Sequence, residues 1–205
     1  SRRPVGLGRR RADRRADAGG SDREFRQPAL EDSIGRLSAG GNRIELREGI
    51  WNGSGHDDNL KIINVPVLKT HDGTGITGVL KHFYGVLSMA DGQFVIRHYL
   101  QSGSQCGKMW SLVRAPDLNI LDCIWVNHES LRGYPEETTH RTNVLLAGTD
   151  PVALDYYASK HVLLPLGGNR AHMHNPDSFP GLINHLGGAQ AFINANGGIA
   201  GLPAV

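Results

Sequence analysis

Residues 61–90 read KIINVPVLKTHDGTGITGVLKHFYGVLSMA, and this stretch decides the fold. Ile62–Leu68 is an apolar run of the length of a buried strand, and Lys69–Gly75 (KTHDGTG) has the polar, Gly-rich composition of a loop. After it, Ile76, Val79, Leu80, Phe83 and Leu87 recur with the spacing of one helix face. Strand, loop and helix in that order leave unpaired N–H groups and the positive end of a helix dipole beside Lys69 and His71. That is a place to hold an anion. Thr74, Thr77 and Lys81 fall at i, i+3 and i+7, so they share a face of the predicted helix. Lys69 and His71 are the candidate catalytic groups of this unit. Thr70, Thr74, Gly75, Thr77 and Lys81 are its candidate ligand-binding groups.

Further strands and helices are predicted on both sides. Arg43–Glu48 alternates like a short edge strand, and Asn52–Asn59 reads as a loop. Phe94–Tyr99 is read as extended and Ser102–Gly107 as a loop. Leu118–Val126 and Asn143–Ala147 are apolar runs that predict buried strands, with a long surface loop at 127–142. Thr149–Asp150–Pro151 opens a helix running to about Val162, since Thr or Asp can cap and Pro suits the first turn. Leu163–Pro176 reads as a loop, and Pro180–Ala195 as a last helix weakened by Gly187–Gly188. Strands alternating with helices imply an α/β fold with a mainly parallel sheet. Ligands in such folds sit at the carboxyl ends of strands, so the loops at 69–75, 127–142 and 148–150 are expected to converge there.

Three carboxylates could serve that site. Asp155 lies among apolar positions and needs a partner if buried, which makes it a candidate catalytic group. Asp122, inside a predicted strand, poses the same question. Asp150 reads as a helix cap or as an acid. Glu129 and His128 follow the second strand, where an acid/base pair and an ordinary loop are both open readings. His172, His174 and Asp177, with His185 further on, could build a metal site if the short His-x-His piece is extended, while the Gly/Asn/Pro-rich composition favours a loop. Gly73–Gly78 matches G-x-G-x-x-G, but Lys69–Asp72 separate it from the strand and no acidic residue follows at the proper place. There is no GxxxxGK[ST]. Neither a dinucleotide fingerprint nor a P-loop is supported.

The net charge of +2 hides an asymmetry: residues 1–50 carry twelve Arg, no Lys and eight Asp or Glu, while the remainder is slightly acidic. The folded part therefore makes no electrostatic case for nucleic acid. Residues 1–42 lack apolar periodicity and are read as a disordered or non-native leader, with residues 43–205 as a single α/β domain. Cys106 and Cys123 give neither a zinc nor an iron–sulfur spacing and no disulfide framework, so a reducing, cytoplasmic setting is expected. No apolar run approaches the roughly 18 residues of a membrane span. Ser1–Arg2–Arg3 is not followed by the apolar region of an export signal.

Three ordered segments carry a resemblance. Asn64–His71 with Gly75–Lys81 and Gly85–Leu87, then Leu118–Asp122, then Thr149–Asp155 are similar to the signature of the prokaryotic domain-of-unknown-function 362 family. His82 stands where that family usually has Asn, and Cys123 where it often has Gly. The resemblance implies an α/β fold, shared motif residues and further α/β sequence ahead of the Lys-Thr-His segment, so a truncated domain is expected. It supplies no reaction. Many relatives carry an iron–sulfur module for which this chain lacks the cysteines. Two functions follow as expectations: binding or transforming a small carboxylate or phosphate, or service as a non-catalytic accessory domain beside a separate redox protein. A cofactor is not specified, and DNA binding by the Arg-rich arm ranks last.

Overall fold

In a computed structural model, residues 36–39, 42–82, 84, 96–130, 136–198 and 200–201 are described. An antiparallel meander comes first, made of β1 (Arg36–Ala39), β2 (Asn42–Glu45), β3 (Gly49–Trp51) and β4 (His56–Asp57). Its first strand lies inside the polar arm that the sequence reads as without regular structure. Arg114 ties the meander to the rest: Nε donates to the Leu46 carbonyl, Nη1 to the Leu60 carbonyl at 3.3 Å, and the guanidinium pairs with Asp58.

The second sheet holds β5 (Ile63–Asn64), β6 (Val67–His71), β7 (Gly75–Thr77), β8 (Leu118–Asn127) and β9 (Thr139–Gly148). β5 and β6 follow one another along one side of β8, both parallel to it. β9 lies antiparallel on the other side of β8, and β7 pairs antiparallel with β6. Four helices accompany it: α1 (Val79–His82), α2 (Ser102–Lys108), α3 (Pro151–Ala158) and α4 (Pro180–Ala195). The α/β class follows as the apolar runs predict, and α4 spans the stretch expected of it.

The opening stretch folds differently from its reading. Lys69, Thr70 and His71 belong to β6, and Asp72–Thr74 is a tight turn into β7, with His71 opposite Gly75. Gly75 has φ +73°, the left-handed position that closes a three-residue hairpin loop. Apolar spacing alone carried Ile76 into the predicted helix, although it sits in β7. Phe83 and Leu87 lie outside the described residues, so helical form is described only over Val79–His82 of that prediction. Thr74, Thr77 and Lys81 therefore do not share a helix face.

Ser102–Gly107, expected as a loop, lies in α2. Its glycines fit a close helix pair: a Cβ on Gly103 would stand 2.1 Å from the His185 carbonyl oxygen, and one on Gly107 2.6 Å from Phe192 Cβ. The extended reading of Phe94–Tyr99 also fails where it is described, since Ile96–Leu100 is a π-helical turn.

Leu68, Leu80, Leu121 and Val126 pack with Leu163, Leu182 and Leu186 in the core on the helical side of the sheet. The opposite side is different. Ile63, Val67, Trp125 and Leu145 are each more than half exposed. The registers Val67↔Asp122 and Asp122↔Leu145 place Val67 and Leu145 on one face across β6, β8 and β9, with Asp122 between them.

Candidate functional site

The site lies at the carboxyl ends of β6 and β8, where the two strands run parallel and Lys69 pairs with Asn127. Alternation along β6 sends Lys69 and His71 to one face and Thr70 to the other. The hairpin register sets Thr77 opposite Lys69. α1 follows one residue later and brings in Lys81, which is only 7% exposed.

What fixes α1 is a carboxylate. Asp155 of α3 is fully buried and accepts the N–H of Val79 at 2.7 Å and of Leu80 at 3.0 Å. Burial pushes its pKa up to about 7, against the pull of those two bonds. Gly78 gives the carboxylate room, because a Cβ there would lie 2.3 Å from Asp155 Oδ1. Asn64 holds the end of β5 to the same corner: Nδ2 donates to the Val79 carbonyl at 3.2 Å and to Asn119 Oδ1 at 3.0 Å, and Oδ1 meets His82 Nδ1. The N–H groups expected to receive an external anion are thus taken by the protein's own carboxylate.

The bases themselves do converge. His71 Nδ1 accepts the N–H of Gly73 at 3.1 Å and of Thr74 at 3.3 Å, which puts the imidazole proton on Nε2. That N–H faces His98 Nε2 at 2.8 Å, and Lys81 Nζ approaches the same His98 nitrogen at 3.4 Å. The rings of Tyr84 and Tyr99 flank His98 at 5.3 and 5.0 Å. Burial holds His71 down to about 3, helped in order by Lys81, His98, His185 and Lys69. Burial and then Lys81 lower His98 to about 4. Burial brings the Lys81 ammonium down to about 8, with Lys69 acting in the same direction and Cys106 against it. Cys106 is itself pushed up to about 12 by burial, so it stays a thiol.

The remaining candidates have structural partners. Thr70 Oγ1 meets His174 Nε2 at 2.8 Å on the opposite face of β6, and Thr74 Oγ1 donates to the Ile76 carbonyl at 2.8 Å inside the hairpin. Asp122 accepts the Ile124 N–H at 2.8 Å, where the β8–β9 register shifts. Asp150 caps α3 through the N–H groups of Val152 and Ala153, at 2.9 and 3.0 Å, and accepts Gly201 N–H at 2.7 Å. Because β9 runs antiparallel, with Gly148 opposite Asn119 near the start of β8, the 148–150 loop lies at the far end of the sheet from His71. Glu129 accepts the Arg170 N–H at 3.0 Å, and Arg170 pairs with Asp72, which holds the turn after β6. Asp177 binds Tyr156 and Lys160, at 2.6 and 2.8 Å. Among the described residues no group of three His, Cys, Asp or Glu is placed to hold a metal. His71, with its proton on Nε2, presents a donor rather than a ligand lone pair.

His98, Tyr84, Tyr99 and His185 were not read as parts of this site. The sequence around His98 has no periodicity to flag it. His185 did leave a signal, a polar residue in the apolar stripe of Leu182, Leu186 and Ala189.

A family model described as Domain of unknown function (DUF362) matches residues 56–160. The chain belongs to this family. The DUF362 match takes in β6, the hairpin, α1, β8, β9 and α3, and so includes Lys69, His71, Lys81, His98 and Asp155. His185 lies beyond it. Comparison with curated proteins and with solved structures finds no match.

Proposed function

We propose that this DUF362 domain binds, and acts on, a small carboxylate or phosphate between Lys69, His71, Thr77 and Lys81. One observation carries the reading. Lys81 is nearly buried, and among the described residues no carboxylate pairs with it; its nearest polar neighbour is another base, His98 Nε2 at 3.4 Å. A buried ammonium without a counter-ion is costly, and a bound anion supplies one. The His71 tautomer adds an N–H donor, and Lys69 adds long-range attraction. Asp122, Asp150 and Asp155 take structural parts in this reading. The test is the Lys69→Ala, Lys81→Ala double variant in thermal shifts against a panel of phosphates and carboxylates. We expect ligands that raise the parent's melting temperature to lose that effect in the variant. Equal shifts in both proteins would remove the proposal.

A second reading is favoured by the bare apolar face of the sheet. In it the domain is a non-catalytic accessory that docks, through Ile63, Val67, Trp125 and Leu145, on a separate iron–sulfur or other redox protein. No helix among the described residues is long and apolar enough to cross a membrane. We assign a cytoplasmic setting on the strength of the two buried free cysteines.

A further inference from the structure

We propose that Lys81 is an amine nucleophile that forms an imine with a 2-oxo carboxylate, the substrate class of the anion site. The inference rests on the anion reading and adds a covalent step to it. Four features carry it, from geometry and electrostatics together. The Lys81 side chain is buried among bases rather than paired with an acid, the setting that favours the neutral amine. His98 Nε2, at 3.4 Å from Nζ, already accepts the His71 N–H, so its lone pair is engaged and it offers an ammonium at Lys81 no free acceptor. Lys69 acts electrostatically on Lys81 and adds positive charge for the substrate carboxylate.

The fourth feature is His185. It is 1% exposed, and neither ring nitrogen has a hydrogen-bond partner among the described residues. Two unsatisfied nitrogens in a core are costly. His185 lies within electrostatic reach of both Lys81 and His71, so a carbonyl oxygen or the departing water is a partner for it.

The step balances without a redox partner. The Nζ lone pair forms a bond to the carbonyl carbon, and the carbonyl π electrons move to oxygen, which takes a proton. The nitrogen gives up one proton to reach the neutral carbinolamine; it then gives up its second as the oxygen takes a second proton and leaves as water, and the C=N bond closes. Nothing is oxidised or reduced. With its pKa brought down to about 8, most Lys81 is protonated at pH 7 and about half at pH 8, and only the neutral fraction attacks.

The test is borohydride trapping of the intact chain with pyruvate at pH 8, followed by peptide mapping. A hydride then reduces the imine to a stable secondary amine. We expect an adduct at Lys81 with the mass of pyruvate less one water plus two hydrogens, absent with lactate, which has no carbonyl. Its yield should exceed that of a lysine of ordinary pKa by on the order of 100-fold, the ratio of neutral fractions. Lys81→Arg has no amine that can form an imine, so it should lose the adduct. Unmodified Lys81 in a parent that lactate or pyruvate stabilises would overturn the imine and leave anion binding standing. Labelling confined to surface lysines such as Lys61 or Lys108 would do the same. A parent that no anion stabilises and that gives no adduct would overturn both readings. If Lys81→Arg does not fold, the parent's own peptide map still decides.

Discussion

At Asp155 a carboxylate without exposed surface accepts two backbone N–H groups and fixes the first turn of α1, and so the place of Lys81. Removing it leaves both donors buried and unsatisfied. Asp155→Ala should therefore cost about 2–5 kcal/mol, read by denaturant unfolding, while Asp155→Asn, which keeps one acceptor, should cost less. The carboxylate also leaves a pH signature. Its folded pKa is raised from 3.8 to about 7, so its contribution is complete below about pH 4 and is lost as the pH rises through 7. The stability of the parent relative to Asp155→Asn should grow as the pH falls from 8 to 5. A pH-independent difference would mean that Asp155 is already ionised throughout. From sequence, Asp155 was legible as a buried acid needing a partner. That the partner would be two backbone amides was not, because they come from a segment 75 and 76 positions away.

Among the elements, α2 and α4 pack closely, and their glycines have opposite roles. Gly103→Ala would drive a Cβ into the His185 carbonyl, so the helices must separate, at about 1–3 kcal/mol. Gly187, inside α4, has nothing within 4 Å of a Cβ, so Gly187→Ala should stabilise by up to about 1 kcal/mol through helix propensity. Melting temperatures of the two variants should move in opposite directions. If Gly103→Ala melts no lower than the parent, the close approach is not as described. The sequence reading took the glycines at 103 and 107 as loop formers. In a helix–helix contact the same residues remove side chains where two backbones meet, and only the presence of α4 distinguishes the two uses.

At the scale of the molecule, the buried His71, His174 and His185 and the half-buried His98 shape the response to acid among the described residues. His71 and His185 are lowered to about 3, His98 and His174 to about 4, each first by burial. Their folded pKa values lie below the ordinary 6.5, so their contribution is present above that pH and lost as the pH falls toward 4 and below. Asp155 opposes them with a single proton. Melting temperature should therefore drop steadily on acidification below about pH 6.5, and saturating concentrations of a site anion should slow the drop, since an anion favours protonated bases. A flat profile between pH 6.5 and 4.5 would contradict the burial described for these rings. The bare apolar face of the sheet is the other molecular-scale feature. A parallel-centred sheet is normally covered on both sides, and here the described helices cover one.

By itself the sequence determined the α/β class, the family, the helices after Pro151 and Pro180, and strands at 118–126 and 143–147, the second of which begins earlier, at Thr139, inside the stretch read as a loop. These rest on local signals: apolar runs, a proline at a helix start and a motif with ordered spacing. Tertiary structure alone decided that Lys69 and His71 sit on a strand rather than in a loop, because a left-handed glycine at 75 turns the chain back on itself. It alone also gave the α1 amides to Asp155, and brought His98 to Lys81. Those contacts join residues that are close in space and far apart in the chain, and no local pattern records them.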